Sequence, residues 1–137
     1  AKMTALHIRT DGTIHDIEAD TLEQMQKGVG GYIEVVTQGG IAGTPYDWVL
    51  YGNEEGMLLD LPVNPVARML VAVAHQVDSP EIQELHGNFV LRVEDDQENT
   101  APVPEELRQV VEKVAGLYAE TGNELIRIVR MDEEGNQ

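Results

Sequence analysis

Four histidines, one serine and two short runs of carboxylates are the residues that could carry chemistry in this 137-residue chain. His7 and His15 flank Asp11-Gly12, so on a hairpin they would face each other, the beginning of a metal pair. No third ligand follows at a telling spacing, and no metal is expected. His75 and His86 read as helix-end residues; at a helix carboxy terminus a cation complements the dipole. Ser79 precedes a proline and lies in no Gly-x-Ser-x-Gly elbow, which leaves it a cap and excludes a serine hydrolase of that kind. Gly39-Gly40-Ile41-Ala42-Gly43 is glycine-rich, but no Lys-Ser or Lys-Thr follows to make a phosphate loop. Asp95-Asp96-Gln97-Glu98-Asn99 has the composition of a calcium loop without its alternating register or closing glutamate. Glu54 and Glu55 are adjacent, so on a strand they would point to opposite faces; only in a turn could they work together. There is no cysteine, hence no thiolate ligand, disulfide or cysteine nucleophile. The residues predict neither an enzyme nor a cofactor.

What remains is recognition chemistry. Glu34 sits in an apolar strand pattern beside Tyr32 and Val36. If that face is buried, Glu34 needs a cation, and Arg68 is the natural one. If the face is open, Tyr32 and Glu34 with Asn53 or Asn64 form a polar patch, with Tyr32 or Trp48 able to stack a ring. Glu54 and Glu55 lie beside it in the chain. The charge adds to this picture: 25 Asp plus Glu against 9 Lys plus Arg, a net −16. Such a field repels phosphate backbones and acidic membranes, so direct contact with nucleic acid or a membrane is not expected. Solubility or adaptation to salt, docking on a basic protein surface, and a cation site are the readings left open.

These residues need elements to hold them. Residues 4–9 and 13–18 alternate around Asp11-Gly12 and predict a hairpin. Asp20 as cap with Glu23 three residues on predicts a helix carrying Leu22, Met25 and Val29 on one face, ended by Gly30-Gly31. Residues 32–37 read as a strand, Tyr32, Glu34 and Val36 to one side and Ile33, Val35 and Thr37 to the other. Residues 47–51 read as another, with Met57-Leu58-Leu59 as its hairpin partner across Asn53-Glu54-Glu55-Gly56. Asn64-Pro65 is a cap followed by a first-turn proline, opening an almost wholly apolar helix. Ser79-Pro80 predicts a short further helix stopping near Gly87, and residues 88–93 a strand. Leu107, Val110, Val111, Val114, Leu117 and Tyr118 recur at helical spacing. Leu125-Ile126-Arg127-Ile128-Val129 predicts a last strand. The fold class is α+β: a small, mainly antiparallel sheet packed by two or three helices. Residues 1–93 form the core, 94–104 an acidic linker, and 105–137 a helix and strand packing on the core, with a homodimer left open. With 42% hydrophobic residues the chain can bury a core, and no run approaches the roughly 18 apolar residues of a membrane span. A cytoplasmic setting is expected.

Gly30-Gly31-Tyr32-Ile33-Glu34, then Asn53-Glu54-Glu55-Gly56, then Leu61-Pro62-Val63-Asn64, then Leu85-His86-Gly87-Asn88 resembles a family of domains of unknown function in small proteins of phages, plasmids, and actinobacterial or archaeal genomes. The resemblance runs from about Thr4 to Val93 and leaves the carboxy-terminal helix outside. Two positions depart from it: Asn88, where that family more often has aspartate, and Pro65, where it often has a basic residue. A basic ligand contact at Pro65 would be missing here. The resemblance implies a setting rather than a reaction: accessory genes of mobile elements, often ones that interfere with host defence. Together with the charge it leads to the expectation of a non-enzymatic protein that binds a host protein with a basic surface, with a small-molecule or nucleotide-sequestering protein as the alternative.

Overall fold

The computed structural model describes residues 4–78 and 81–122. The chain begins as a hairpin, β1 (Ala5–Ile8) and β2 (Ile14–Ile17), whose turn places Gly12 at φ +88, where a Cβ would be strained. Then follow α1 (Leu22–Val29), β3 (Ile33–Gly40), β4 (Asp47–Asn53), α2 (Pro65–His75), β5 (Phe89–Glu94), β6 (Thr100–Ala101) and α3 (Glu105–Thr121). The strands pair antiparallel throughout in the order β2-β1-β5-β4-β3, and β6 adds to the carboxy-terminal end of β5. The fold is α+β, an antiparallel sheet with three described helices.

β5 is the centre of this sheet, flanked by β1 and β4, and all six of its residues are buried. Alternate residues serve two cores. Phe89 and Leu91 join Leu6, Ile8 and Leu50 beneath α2 and α3; Val90 joins Ala5, Val49 and Tyr51 beneath α1. The sheet therefore has helices on both faces. Val111 and Val114 of α3 are buried, so the apolar stripe of that helix lies against its own chain. No described helix is long and apolar enough to cross a membrane.

Several local expectations shift. The capping box of α1 sits one residue later: the Thr21 hydroxyl accepts the Gln24 N–H at 3.1 Å, and Gln24 Oε1 accepts those of Asp20 and Thr21 at 2.8 and 3.2 Å. That phase turns Met25 and Val29 onto the sheet and leaves Leu22 exposed. A bulge between Val35 and Thr37 breaks the alternation of β3, so Thr37 pairs with Leu50 and shares its face with Val36. Residues 57–59 are not a strand. Both edges of β4 are already taken by β3 and β5, so residues 54–60 form successive turns instead. The acidic stretch expected as a linker is a return within the sheet: Glu98 adopts φ +64, β6 rejoins β5, and Ala101 is buried. The Asp95 carboxylate accepts the N–H groups of Gln97 and Asn99, both at 2.9 Å, and the Asn99 bond foremost holds it below the usual aspartate range. Residues 81–88 carry no α-helix; an antiparallel bridge, Val63 to His86, and hydrogen bonds from Asn64 and Arg68 tie them to the fold. The caps expected at Ser79-Pro80 and the strand at residues 125–129 lie outside the described residues.

Candidate interaction surface

Of the residues singled out for recognition, Tyr32, Glu34, Asn53, Glu54 and Glu55 come together at the outer edge of the sheet. β3 is an edge strand. Tyr32, just before it, is 66% exposed, and its carbonyl accepts the Glu54 N–H at 2.8 Å, which ties the following turn to the strand. Asn53 is buried and shapes that turn: Oδ1 accepts the Glu55 N–H at 2.7 Å and Nδ2 donates to the Val29 carbonyl at 3.2 Å. Its amide is thus engaged internally. Glu34, Glu54 and Glu55 are exposed. Arg68 is not the partner of Glu34; its Nε donates to the Ile82 carbonyl at 2.7 Å. Glu34, Asn53, Glu54, Met57 and His86 line one cavity of about 170 Å³.

Trp48 and Asn64 are placed elsewhere. Trp48 is half-buried on the α2–α3 face and lines an apolar cleft of about 220 Å³ with Leu50, Leu70, Val73 and Val110. Asn64 caps α2, accepting the Ala67 N–H at 3.0 Å, while Nδ2 donates to the Ile8 and Gly87 carbonyls at 3.0 and 2.9 Å. No functional group of its side chain is left for a ligand.

Sequence reasoning missed the apolar part of the edge surface. Met57, Leu58 and Leu59 occupy the turn after Glu55, and Leu58 is 85% exposed. Three successive large apolar residues facing water, beside Tyr32 and three glutamates, are what an interaction surface presents. The sequence reads them as a hairpin partner of β4, because the pattern alone does not say whether β4 has a free edge.

It also missed a buried ionic cluster. Arg92, Glu94 and Tyr51 are all nearly sealed from solvent. Arg92 Nε donates to Glu94 Oε2 at 2.9 Å, its Nη1 to the Ala19 carbonyl at 2.9 Å, and the Tyr51 hydroxyl donates to the same Glu94 oxygen. The guanidinium lies 5.7 Å from the Tyr51 ring centre. Burial first, and then the neighbouring Glu94, push the Tyr51 phenol up to about 12. No substrate reaches Glu94 through this packing, so the cluster braces the junction of β5, β6 and the start of α1. The His7–His15 pair predicted across the first hairpin is in register, but both ring nitrogens of His7 are engaged, one with the Gly28 carbonyl at 2.7 Å and one with Arg9 Nε at 3.1 Å.

A family model described as a domain of unknown function, DUF3846, matches residues 3–119. The chain belongs to this family. The DUF3846 match runs well past Val93, the limit expected from the motifs, and takes in β6 and nearly all of α3. That extent agrees with the packing, since α3 covers the sheet. Neither a curated protein nor a solved structure is detectably similar to this chain. The DUF3846 domain therefore brings a family without a stated activity, and what it does has to be argued from its surface.

Proposed function

We propose that this DUF3846 protein is a non-enzymatic accessory protein of a phage or other mobile element, acting in the host cytoplasm as an acidic inhibitor that binds a host defence protein through a basic surface. The observation that supports this reading is the β3 edge: Tyr32, Met57, Leu58 and Leu59 stand exposed among Glu34, Glu54, Glu55 and Asp60. Apolar anchors ringed by one sign of charge suit a partner with an apolar patch and a basic rim. The net charge of −16 would steer such a partner in, so association should weaken as salt rises.

The test is capture of host proteins on the immobilised protein, compared with two surface variants, Leu58→Ser combined with Tyr32→Ala, and Glu54→Lys. All three positions are exposed, so the fold is kept. A basic partner held at low salt, released at high salt, and reduced tenfold or more in both variants is the expected result. Equal capture by wild type and variants, or turnover of a substrate by the pure protein, overturns it. The alternative, a sequestered small molecule or nucleotide at this edge, is weakened because Asn53 and Asn64 both direct their amides to backbone groups.

A further inference from the structure

We infer that the cleft between α1 and the β1–β2 hairpin binds the oxyanion of a small ligand, a phosphate or carboxylate group, through Arg9 and Lys27. The cleft measures about 400 Å³. His7 and Arg9 are two residues apart on the β1 side and so share a face; Gln24, Lys27 and Gly28 recur at helical spacing on α1 and form the opposite wall. Lys27 and Arg9 thus line one cavity in a chain where acids outnumber bases 25 to 9.

Arg9 is held ready for this. Its Nε donates to His7 Nδ1 at 3.1 Å, which requires the neutral ring tautomer with the proton on Nε2, and that proton goes to the Gly28 carbonyl at 2.7 Å. The relay fixes the guanidinium while its two terminal NH2 groups make no hydrogen bond or ion pair among the described residues. Two parallel N–H groups of that kind match the two oxygens of a carboxylate or phosphate. Lys27 adds a mobile charge. Gln24 uses its Oε1 in the helix cap, which leaves its NH2 as a donor. Among the described residues no Tyr, Trp or Phe lines the cleft, so the charged head of a ligand is recognised rather than a base or ring.

Two acids oppose this. Glu18 lies on the wall, and the Asp11 carboxylate in the hairpin turn feels Arg9. The net charge of −16 also repels an anion from afar. At physiological salt that field is screened beyond about 8 Å, so the charges lining the cleft decide, and there Arg9 and Lys27 outnumber Glu18. The cleft faces the hairpin edge of the sheet, and its occupancy does not depend on any partner of the β3 edge.

His7 supplies an internal reporter. The groups around its ring are Arg9 just past the end of β1, His15 directly across on β2, the Gly28 carbonyl and Lys27 on α1, and Glu18 on the wall. Its burial foremost, and the Arg9 and His15 charges with it, hold the imidazole below its ordinary value. An anion on Arg9 offsets one of those charges, so the His7 pKa rises on binding.

The experiment is an NMR titration of the full chain with sodium phosphate and, separately, sodium succinate, at ionic strength held constant with sodium chloride. It is repeated on Lys27→Gln, Arg9→Gln and the control Lys113→Gln. Expected are saturable shifts at His7, Gly28 and Lys27, a rise in the His7 pKa, and affinity lowered about tenfold by Lys27→Gln or Arg9→Gln but unchanged by Lys113→Gln. Saturation by one anion only assigns the head group. No saturable response to either, or equal affinity in wild type and Lys27→Gln, overturns the inference. Lys27 is exposed, so that variant folds even if Arg9→Gln does not.

Discussion

Replacing Asn64 separates a structural residue from a recognition residue. Its side chain is 1% exposed and makes three hydrogen bonds: it caps α2 at Ala67, and it donates to the carbonyls that end β1 and precede β5. Asn64→Ala removes a cap worth about 1 kcal/mol and deprives two buried carbonyls of a donor, at about 1 kcal/mol each. The sum, about 3 kcal/mol, corresponds to a fall in Tm of roughly 10 °C for a domain of this size. Asn64→Asp is the sharper variant. It keeps the acceptor for Ala67 but sets an oxygen against the Ile8 and Gly87 carbonyls, so at neutral pH it destabilises at least as much. Because burial beside two carbonyls raises the introduced carboxyl above its unfolded value, that loss shrinks as the pH falls and the group takes a proton. Urea denaturation of wild type and both variants at pH 7 and pH 5 measures all of this. An Asn64→Ala variant within about 0.5 kcal/mol of wild type, in the range of ordinary surface substitutions, refutes the reasoning and returns Asn64 to the list of ligand contacts.

Two further outcomes follow from the buried charges. Glu94→Ala leaves Arg92 buried without its carboxylate and should cost about 3–5 kcal/mol, while the Tyr51 phenol falls from about 12 toward an ordinary tyrosine value; denaturation and alkaline absorbance titration check the two effects separately. His7, whose pKa burial lowers, contributes stability that is fully present above its ordinary 6.5 and is lost as the pH falls toward its folded value, so His7→Gln should show a shallower loss of stability between pH 7 and pH 5 than wild type; identical slopes would refute it.

Much of the fold was legible because local chemistry and tertiary packing agree. Asp11-Gly12 forces a turn, Asn64-Pro65 starts a helix, Gly30 at φ +82 ends one, and the apolar stripe of α3 packs where its spacing points. What was not legible depends on strand order. Nothing in Phe89-Val90-Leu91-Arg92-Val93-Glu94 says that the strand lies at the centre of the sheet, so the sequence alone gives Arg92 no buried partner and places Glu94 in the acidic linker. They are buried because β1 and β4 flank the strand and Arg92 reaches the carbonyl of Ala19, 73 residues away. Residues 57–59 fail for the same reason in reverse. Tyr32, Glu34, Glu54 and Glu55 could be named from their types and neighbours, whereas the exposure of Leu58 depends on β4 having no edge to offer.

The strand order also keeps the two proposed surfaces apart. Arg9 and Lys27 stand on the α1 side near the β1–β2 edge; the cavity beside Glu34 and Glu54 includes Phe89, which packs on the α2 side, and opens at β3. From β1 to β3 there are three strand spacings, roughly 14 Å, before the thickness of the sheet is added. That exceeds the distance over which exposed charges act strongly at physiological salt. An acidic edge that attracts a basic partner and a cationic cleft that holds an oxyanion can therefore coexist on one small domain, each governed by its own nearest charges. The net charge describes neither of them: −16 says how the molecule meets a large partner at a distance, and the side chains lining each cavity say what is held on contact.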